Sequence, residues 1–205
     1  MERRTPSPSS LLFSSVIFLT LTAGSYAIPK ATDFIRASCR ATLYPSLCLH
    51  SLSAYATEIR QSERRIALVA LAVSLARARS AAMFVSGFSR AKGIKHREFE
   101  AVKDCVENMG DSVGELSESV RELGHTGGAG GQNFMWHMSN VQTWVSAALT
   151  DQQTCVDGFG ETAMDGSVKD AVSVRVISVA RVTSNALALV NLFASGRHRV
   201  GENGD

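Results

Sequence analysis

Aromatic residues and prolines are scarce in this sequence: Phe, Trp and Tyr make up 7% of 205 residues, and there are 4 prolines. No stretch longer than a few residues alternates apolar and polar side chains, which excludes a substantial β-sheet. Ala, Val, Leu and Ser dominate instead. This composition favours helices that pack closely through small side chains, and the length suffices for one domain with a sizeable core.

The chain also lacks an excess of charge, with a formal net charge of +2 at pH 7. A field this weak argues against nucleic acid or an anionic lipid surface as a partner. No N-x-S/T sequon is present, so we expect no N-linked glycan.

Catalytic signatures are missing as well. There is no G-x-S-x-G elbow, H-E-x-x-H pair, P-loop or dinucleotide-binding motif, and the Gly-rich run 124–131 lacks the Lys-Ser/Thr of a phosphate loop. The histidines show no i, i+4 pair. We therefore predict no enzyme, no metal site and no cofactor. Trp136 and Trp144 are expected in or near the core.

Residues 1–27 resemble a secretory signal. Arg3 and Arg4 precede a short apolar run from Leu11 to Ala23, and Ser25-Tyr26-Ala27 fits a cleavage site before Ile28. The run is too short for a membrane anchor, and we expect no other segment to cross a bilayer. The predicted organisation is a signal at 1–27, a helical domain at 28–195 and a polar tail at 196–205.

Four cysteines remain after the signal: Cys39, Cys48, Cys105 and Cys155. In an oxidising compartment an even number predicts two disulfides, and spacing alone leaves three pairings open. The most economical scheme joins Cys39 to Cys48 and Cys105 to Cys155. No C-x₂₋₄-C spacing supports a zinc site.

Apolar periodicity predicts four long helices, at about 61–86, 95–123, from about 133 through 159, and 167–193. Connections that are short or rich in glycine favour an all-α, antiparallel up-down-up-down four-helix bundle. Before it, Pro45 favours a helix start between Cys39 and Cys48, so a disulfide-pinned helical hairpin precedes the bundle. The predicted buried residues include Ile66, Val69, Val73, Ala76 and Met83 in the first long helix, and Phe99, Val102, Val106, Met109, Val113, Leu116, Val120 and Leu123 in the second. In the third they include Val141, Val145, Ala148 and Cys155, and in the fourth Val172, Val176, Val179, Val182, Ala186, Leu189 and Phe193.

The third long helix carries a row of polar side chains opposite its apolar face. Ser146, Asp151, Gln153, Thr154 and Asp157 belong to this row. A solvated face is the simpler interpretation, and a partner-binding surface is the alternative.

Two motifs resemble those of a known family. CRATLYPSLCLHSL at 39–52 fits C-x-x-T-x-Y-P-x-x-C-x-x-S-L, and VQTWVSAALTDQQTCVDGF at 141–159 is similar to a second signature of the same family. That family is the plant invertase and pectin methylesterase inhibitors. The resemblance covers about 33–193. It implies a four-helix bundle behind a helical hairpin and the pairings Cys39–Cys48 and Cys105–Cys155. It also implies a secreted, extracellular protein of the plant cell wall (the apoplast) that blocks a carbohydrate-acting enzyme in a 1:1 complex.

The resemblance is closer to the pectin methylesterase inhibitors. The turn GHTGGAGGQNF lacks the Pro-Lys-Phe triplet of invertase inhibitors, and the motif match assigns Thr154 and Asp157 to the enzyme contact. Helical facing adds Asp151, Gln153 and Ser146. We therefore predict an inhibitor of pectin methylesterase. An inhibitor of cell-wall or vacuolar invertase is the alternative, and a secreted helical carrier of a small apolar ligand is a more remote one.

Overall fold

The structure is a computed structural model that describes residues 30–90, 93–126, 131–160 and 166–202, of which 131 and 197–202 are described by their backbone only. The predicted signal at 1–27 and the centre of the Gly-rich run lie outside the described residues. Every regular element in the described part of the chain is helical.

Two short helices form the N-terminal hairpin. Residues 30–39 are helix α1, and α2 spans Pro45–Leu52, with Pro45 in its first turn. The disulfide between Cys39 and Cys48 joins the two helices, with Cα atoms 5.6 Å apart. The predicted hairpin is present. A 3₁₀ turn, Ser53–Tyr55, and the one-turn helix α3, Ala56–Ile59, lead into the bundle.

The bundle consists of α4 (Glu63–Phe88), α5 (His96–His125), α6 (Gly131–Asp157) and α7 (Ser167–Glu202). Helices α4 and α6 each pack against both α5 and α7, and therefore occupy opposite corners. A helix of this length is about 40 Å long, and the connections between consecutive helices are too short to span it. Short connections therefore favour antiparallel consecutive helices, as in the predicted up-down-up-down bundle, and the predicted all-α fold is confirmed.

Local sequence sets several of these boundaries. The Ser62 side chain accepts a hydrogen bond from the backbone N–H of Arg65 at 3.4 Å and caps α4. Glu98 accepts from the backbone N–H of Lys95 at 3.3 Å at the start of α5. Gly158 follows the end of α6, where its N–H donates to the carbonyl of Thr154 at 3.0 Å. Helix α7 continues to Glu202, so its predicted end near Phe193 was wrong. No proline follows Phe193 to stop it.

The predicted buried stripes of α5, α6 and α7 lie in the core, with one exception in α5. Phe99, in the first turn of α5, is 39% exposed and was wrongly placed in the core. The fully buried members include Val102, Met109, Leu116, Leu123, Val141, Val145, Ala148, Val172, Val176, Ala186 and Leu189.

The predicted core face of α4 was wrong in part. Met83 is 71% exposed and Ala76 lies on the surface, whereas Ala67, Ala78 and Ala81 are fully buried. Helix α4 is apolar around much of its circumference, so periodicity alone does not select one face. The small alanines face the core, and the larger Met83 is left outside.

Two of the long helices pass the test for a membrane span on length and composition alone: Glu63–Phe88 and Ser167–Gly196. The expectation that no later segment is apolar enough to cross a bilayer was therefore wrong on composition. In the fold, 44% and 50% of their apolar windows are buried. The apolar side chains of these two helices lie in the bundle core, where the helices pack against each other and against α5 and α6.

Polar side chains also occur in this core. Ser74 on α4 and Thr183 on α7 are fully buried and hydrogen-bonded to each other at 2.6 Å, and Thr183 also donates to the carbonyl of Val179. Gln152 on α6 donates to Ser112 on α5 at 2.8 Å. Such pairs add directional contacts between helices that otherwise meet through apolar surfaces.

Candidate interaction surface

One side of α6 carries the predicted polar row. Ser146, Thr150, Gln153, Thr154 and Asp157 are all exposed. Steps of three, four and seven residues place them on one side of the helix, over about 16 Å of its axis. We call these five residues the α6 polar face.

The hydroxyl groups of this face are bonded to their own helix. Ser146 donates to the carbonyl of Gln142 at 2.7 Å, Thr150 to that of Ser146 at 3.1 Å, and Thr154 to that of Thr150 at 2.9 Å. Each hydroxyl proton is therefore used inside α6, and the oxygen lone pairs remain for an outside donor. Toward a partner, the face is rich in acceptors.

Asp157 adds a carboxylate at the end of this face. Its Oδ1 accepts a hydrogen bond from the Gln153 side chain at 2.8 Å. A negative charge in the last turn of a helix opposes the helix dipole, at a cost of about 0.3–1 kcal/mol. Helix stability therefore does not explain an aspartate at this position.

Asp151 does not belong to the α6 polar face, and its placement there by helical facing was wrong. It is half-buried against α5, where its carboxyl meets that of Glu115. Burial, the hydrogen bond to Asp151 and the negative charges of Asp151 and Asp111 raise the pKa of Glu115 from 4.5 to about 7. Burial likewise raises the pKa of Asp151. Asp151 therefore contributes to the contact between α5 and α6.

The backbone under the α6 polar face is fixed covalently. Cys155 lies between Thr154 and Asp157 and forms a disulfide with Cys105 of α5, with Cα atoms 4.3 Å apart. A crosslink across 50 residues stabilises a fold by about 4 kcal/mol on the chain-entropy model. The bond holds this end of α6 against α5 before any partner binds.

The sequence interpretation missed an aromatic group on the same helix. Trp136 is 62% exposed, so its predicted place in or near the core was wrong, and Met135 beside it is 43% exposed. Trp136 precedes Thr154 by five helical turns, so both lie on the same side of α6. The sequence shows the 18-residue spacing between Trp136 and Thr154. It did not indicate that Trp136 is exposed, because a tryptophan in an amphipathic helix is expected on the buried face.

The hairpin is tied to the bundle by a residue that no motif marked. Asn185 on α7 accepts from the backbone N–H of Tyr44 and donates to its carbonyl, both at 3.0 Å. This side chain supplies an acceptor for the Tyr44 N–H and a second donor to its carbonyl, which also accepts from the N–H of Cys48 at 2.9 Å. The pair is 141 residues apart in sequence, so only the tertiary fold reveals it.

The described residues contain no group of three His, Cys, Asp or Glu side chains able to hold a metal ion. An enclosed apolar pocket between α2, α4 and α7, lined by Leu52, Val182 and Leu189, has a volume of about 10 Å³. That is about the space for one water molecule. It gives the ligand-carrier hypothesis no support.

Comparison with known proteins places these features in a family. Residues 33–189 match the family described as plant invertase/pectin methylesterase inhibitor. Pectinesterase inhibitor 9 of Arabidopsis thaliana is 51% identical over 89% of this chain and 92% of its own. A 21 kDa protein of Daucus carota is 47% identical over 92% and 96%. Pectinesterase inhibitor 11 of Arabidopsis thaliana is 46% identical over 90% and 93%.

A solved structure supports the fold. The crystal structure of mutant form A of a pectin methylesterase inhibitor from Arabidopsis superposes with a TM-score of 0.59, at 23% identity, over 75% of this chain and 93% of that one. The family match covers most of the chain and includes both disulfides. The chain belongs to the plant invertase/pectin methylesterase inhibitor family.

Proposed function

We propose that this protein is a secreted inhibitor of pectin methylesterase that forms a 1:1 complex with the enzyme and blocks its substrate cleft. Relatives that share about half of their residues with this chain over nearly their full length are named pectinesterase inhibitors. The observation that carries the mechanism is the α6 polar face, an exposed row of acceptors on a helix fixed by the Cys105–Cys155 disulfide.

The proposed mechanism is steric. The esterase must admit a methylated galacturonan into an open cleft before it can hydrolyse the ester. A rigid bundle placed over that cleft excludes the polymer, and no reactive group on the inhibitor is needed. Rigidity favours binding because little conformational entropy remains to be lost on association.

The chemistry of the face indicates what it contacts. Thr150 and Thr154 present acceptor oxygens and Asp157 a carboxylate. The complementary surface on the enzyme therefore carries donors, with a Lys or Arg opposite Asp157. Trp136 extends the same side of α6 with a large apolar group of the kind that dominates many protein interfaces.

Secretion is the proposed route to this target. Disulfides such as Cys39–Cys48 and Cys105–Cys155 persist in oxidising compartments. The predicted signal at 1–27 would deliver the chain to the apoplast and cell wall.

The test is an inhibition assay with the purified mature chain, titrated against a plant pectin methylesterase and, in parallel, against cell-wall and vacuolar invertases. We expect the esterase to lose activity with a break at one inhibitor per enzyme, and light scattering to give the mass of a 1:1 complex. Potent block of an invertase with a fully active esterase would replace this proposal with the invertase alternative. Full activity of both enzyme classes at excess inhibitor would reject the inhibitor function.

A further inference from the structure

A second surface of the bundle, the groove between α4 and α7, has side chains that inhibition through α6 does not use. It contains two arginines, Arg77 on α4 and Arg175 on α7, with Ser80 and Ser178 between them. The depression has a volume of about 260 Å³ and opens to solvent. Arg175 also lines an adjacent, more apolar depression with Phe84 and Val174, so the two form one groove.

The arginines of this groove are held in place by uncharged groups. Arg175 donates to the Ser80 hydroxyl at 3.0 Å and its guanidinium carbon lies 5.3 Å from the centroid of the Phe84 ring. Arg77 donates to the Ser51 hydroxyl of the hairpin at 3.1 Å. Elsewhere on α7 and outside the groove lining, Arg181 lies over the Tyr44 ring at 5.5 Å. These contacts orient the guanidinium groups while leaving most of their five donors unused.

No ion pair among the described residues involves any of these three arginines. One carboxylate, Asp170, lies at the apolar end of the groove beside Phe84. Two oriented guanidinium groups, those of Arg77 and Arg175, against one carboxylate make this groove locally cationic, although the whole chain carries a formal net charge of only +2. A local positive surface of this kind suits a ligand that presents carboxylates at intervals.

The remaining groups of the groove narrow the chemistry of that ligand. Ser80 and Ser178 can bond sugar hydroxyls, and Phe84 is 37% exposed and Val174 72% exposed, which supplies apolar surface for the faces of pyranose rings. Nucleic acid requires a stronger and wider positive field than this chain provides. Carboxylates, hydroxyls and apolar ring faces occur together in a polyuronate.

We propose that the α4–α7 groove binds de-esterified galacturonan, the carboxylate-bearing polymer that pectin methylesterase leaves behind, through Arg77 and Arg175. The choice of polymer rests on the proposed function, because hydrolysis of each methyl ester creates one carboxylate. The position of the groove allows both contacts at once, since α4 lies at the corner of the bundle opposite α6. The inhibitor then accumulates where the enzyme has already acted, with its α6 polar face still available.

The experiment measures binding of the mature chain to short oligogalacturonates by calorimetry, near neutral pH, at low salt and with calcium chelated to prevent gelling. Fully methyl-esterified oligomers of the same length and polyglutamate are the comparison ligands. The test variant is Arg77→Gln and Arg175→Gln combined. The matched control, Arg36→Gln and Arg79→Gln, removes the same charge from surfaces outside the groove.

We expect the native chain to bind the acidic oligomer, with affinity that falls as salt is added, and to leave the methyl ester unbound. The groove variant should lose at least about tenfold in affinity, as expected when charge-assisted hydrogen bonds are removed, while the control should stay within about twofold. Equal loss in both variants, equal binding of polyglutamate, or no binding by the native chain would overturn the proposal. Thermal melts of each variant establish that it is folded, and Arg175→Gln alone is the fallback because its side chain is exposed.

A separate measurement keeps this proposal distinct from inhibition of the esterase. Binding of each variant to pectin methylesterase is measured with no polymer present. We expect the groove variant to bind the enzyme as the native chain does. If it loses enzyme affinity, the groove is a protein contact and the polymer proposal fails, whereas a native chain that binds oligogalacturonate but inhibits no esterase would reject only the proposed function.

Discussion

The carboxyl group of Glu115 on α5 lies against that of Asp151 on α6, so two acidic side chains meet across one helix contact. Glu115 Oε2 and Asp151 Oδ2 are both buried and lack a hydrogen-bond partner among the described residues. A proton on one carboxyl group removes the repulsion between them, and its loss leaves two negative charges together with Asp111 nearby.

This pair makes stability depend on pH. The pKa of Glu115 is raised in the folded state from 4.5 to about 7, so folding favours the protonated form. The stabilisation is full below about pH 4.5 and is lost as the pH rises through about 7. After discounting for the exposed part of the pair, we expect about 1 kcal/mol, or a fall in Tm of about 3 °C. Glu115→Gln keeps a donor but does not titrate, so its thermal melts should show a flatter pH profile than the native chain. Identical profiles would contradict the assignment.

Asp157 is expected to carry part of the affinity for the esterase. Asp157→Asn removes the charge and retains the side-chain shape and the contact with Gln153. Loss of one charge-assisted hydrogen bond should weaken inhibition about tenfold, with Tm unchanged or slightly higher because the charge no longer opposes the helix dipole. Asp170→Asn, which removes an exposed carboxylate from the first turn of α7, serves as the control. Equal potency of Asp157→Asn and the native chain would remove Asp157 from the interface.

Alanine substitution of Met83 on α4, compared with the same substitution of Met109 on α5, tests which face of α4 is buried. Met109 on α5 is fully buried, whereas Met83 on α4 is 71% exposed. Met109→Ala should cost about 2–5 kcal/mol of unfolding free energy because it leaves a cavity, and Met83→Ala less than about 0.5 kcal/mol. Urea unfolding of both variants checks this. A large loss for Met83→Ala would mean that the core face of α4 is the one its sequence pattern first suggested.

Gly110 and Gly114 weaken α5 without serving its packing. Both are exposed within the helix, and a Cβ at either position would meet no atom within 4 Å. Alanine at each should raise the free energy of unfolding by about 0.8–1 kcal/mol, measured by urea or thermal unfolding. Gly166→Ala is the contrasting control, since its Cβ would lie 2.8 Å from Glu98 Oε1 and should give no gain. Failure of both α5 variants to gain stability would indicate that these glycines permit a bend the helix needs.

The helices themselves follow from the sequence. In α5, α6 and α7 a strong apolar repeat alternates with charged and polar residues, so a single face can be buried, and the predicted residues such as Leu116, Val145 and Val176 are indeed fully buried. The disulfide-linked hairpin could also be predicted from the sequence, because Pro45 favours a helix start between two cysteines. Because the connections between the helices are short, an antiparallel bundle is their simplest packing.

The tertiary structure decided what local pattern leaves undetermined. Helix α4 is apolar on several sides, so the alanines that allow close approach, and not the repeat, selected its buried face. Asp151 was predicted to face solvent, but its partner Glu115 comes from another helix, and Trp136 is 62% exposed although it lies in an amphipathic helix. Asn185 and the two groove arginines contact residues distant in sequence. Helical periodicity is a property of neighbours along the chain, whereas burial, shared protons and surface charge depend on which helices meet.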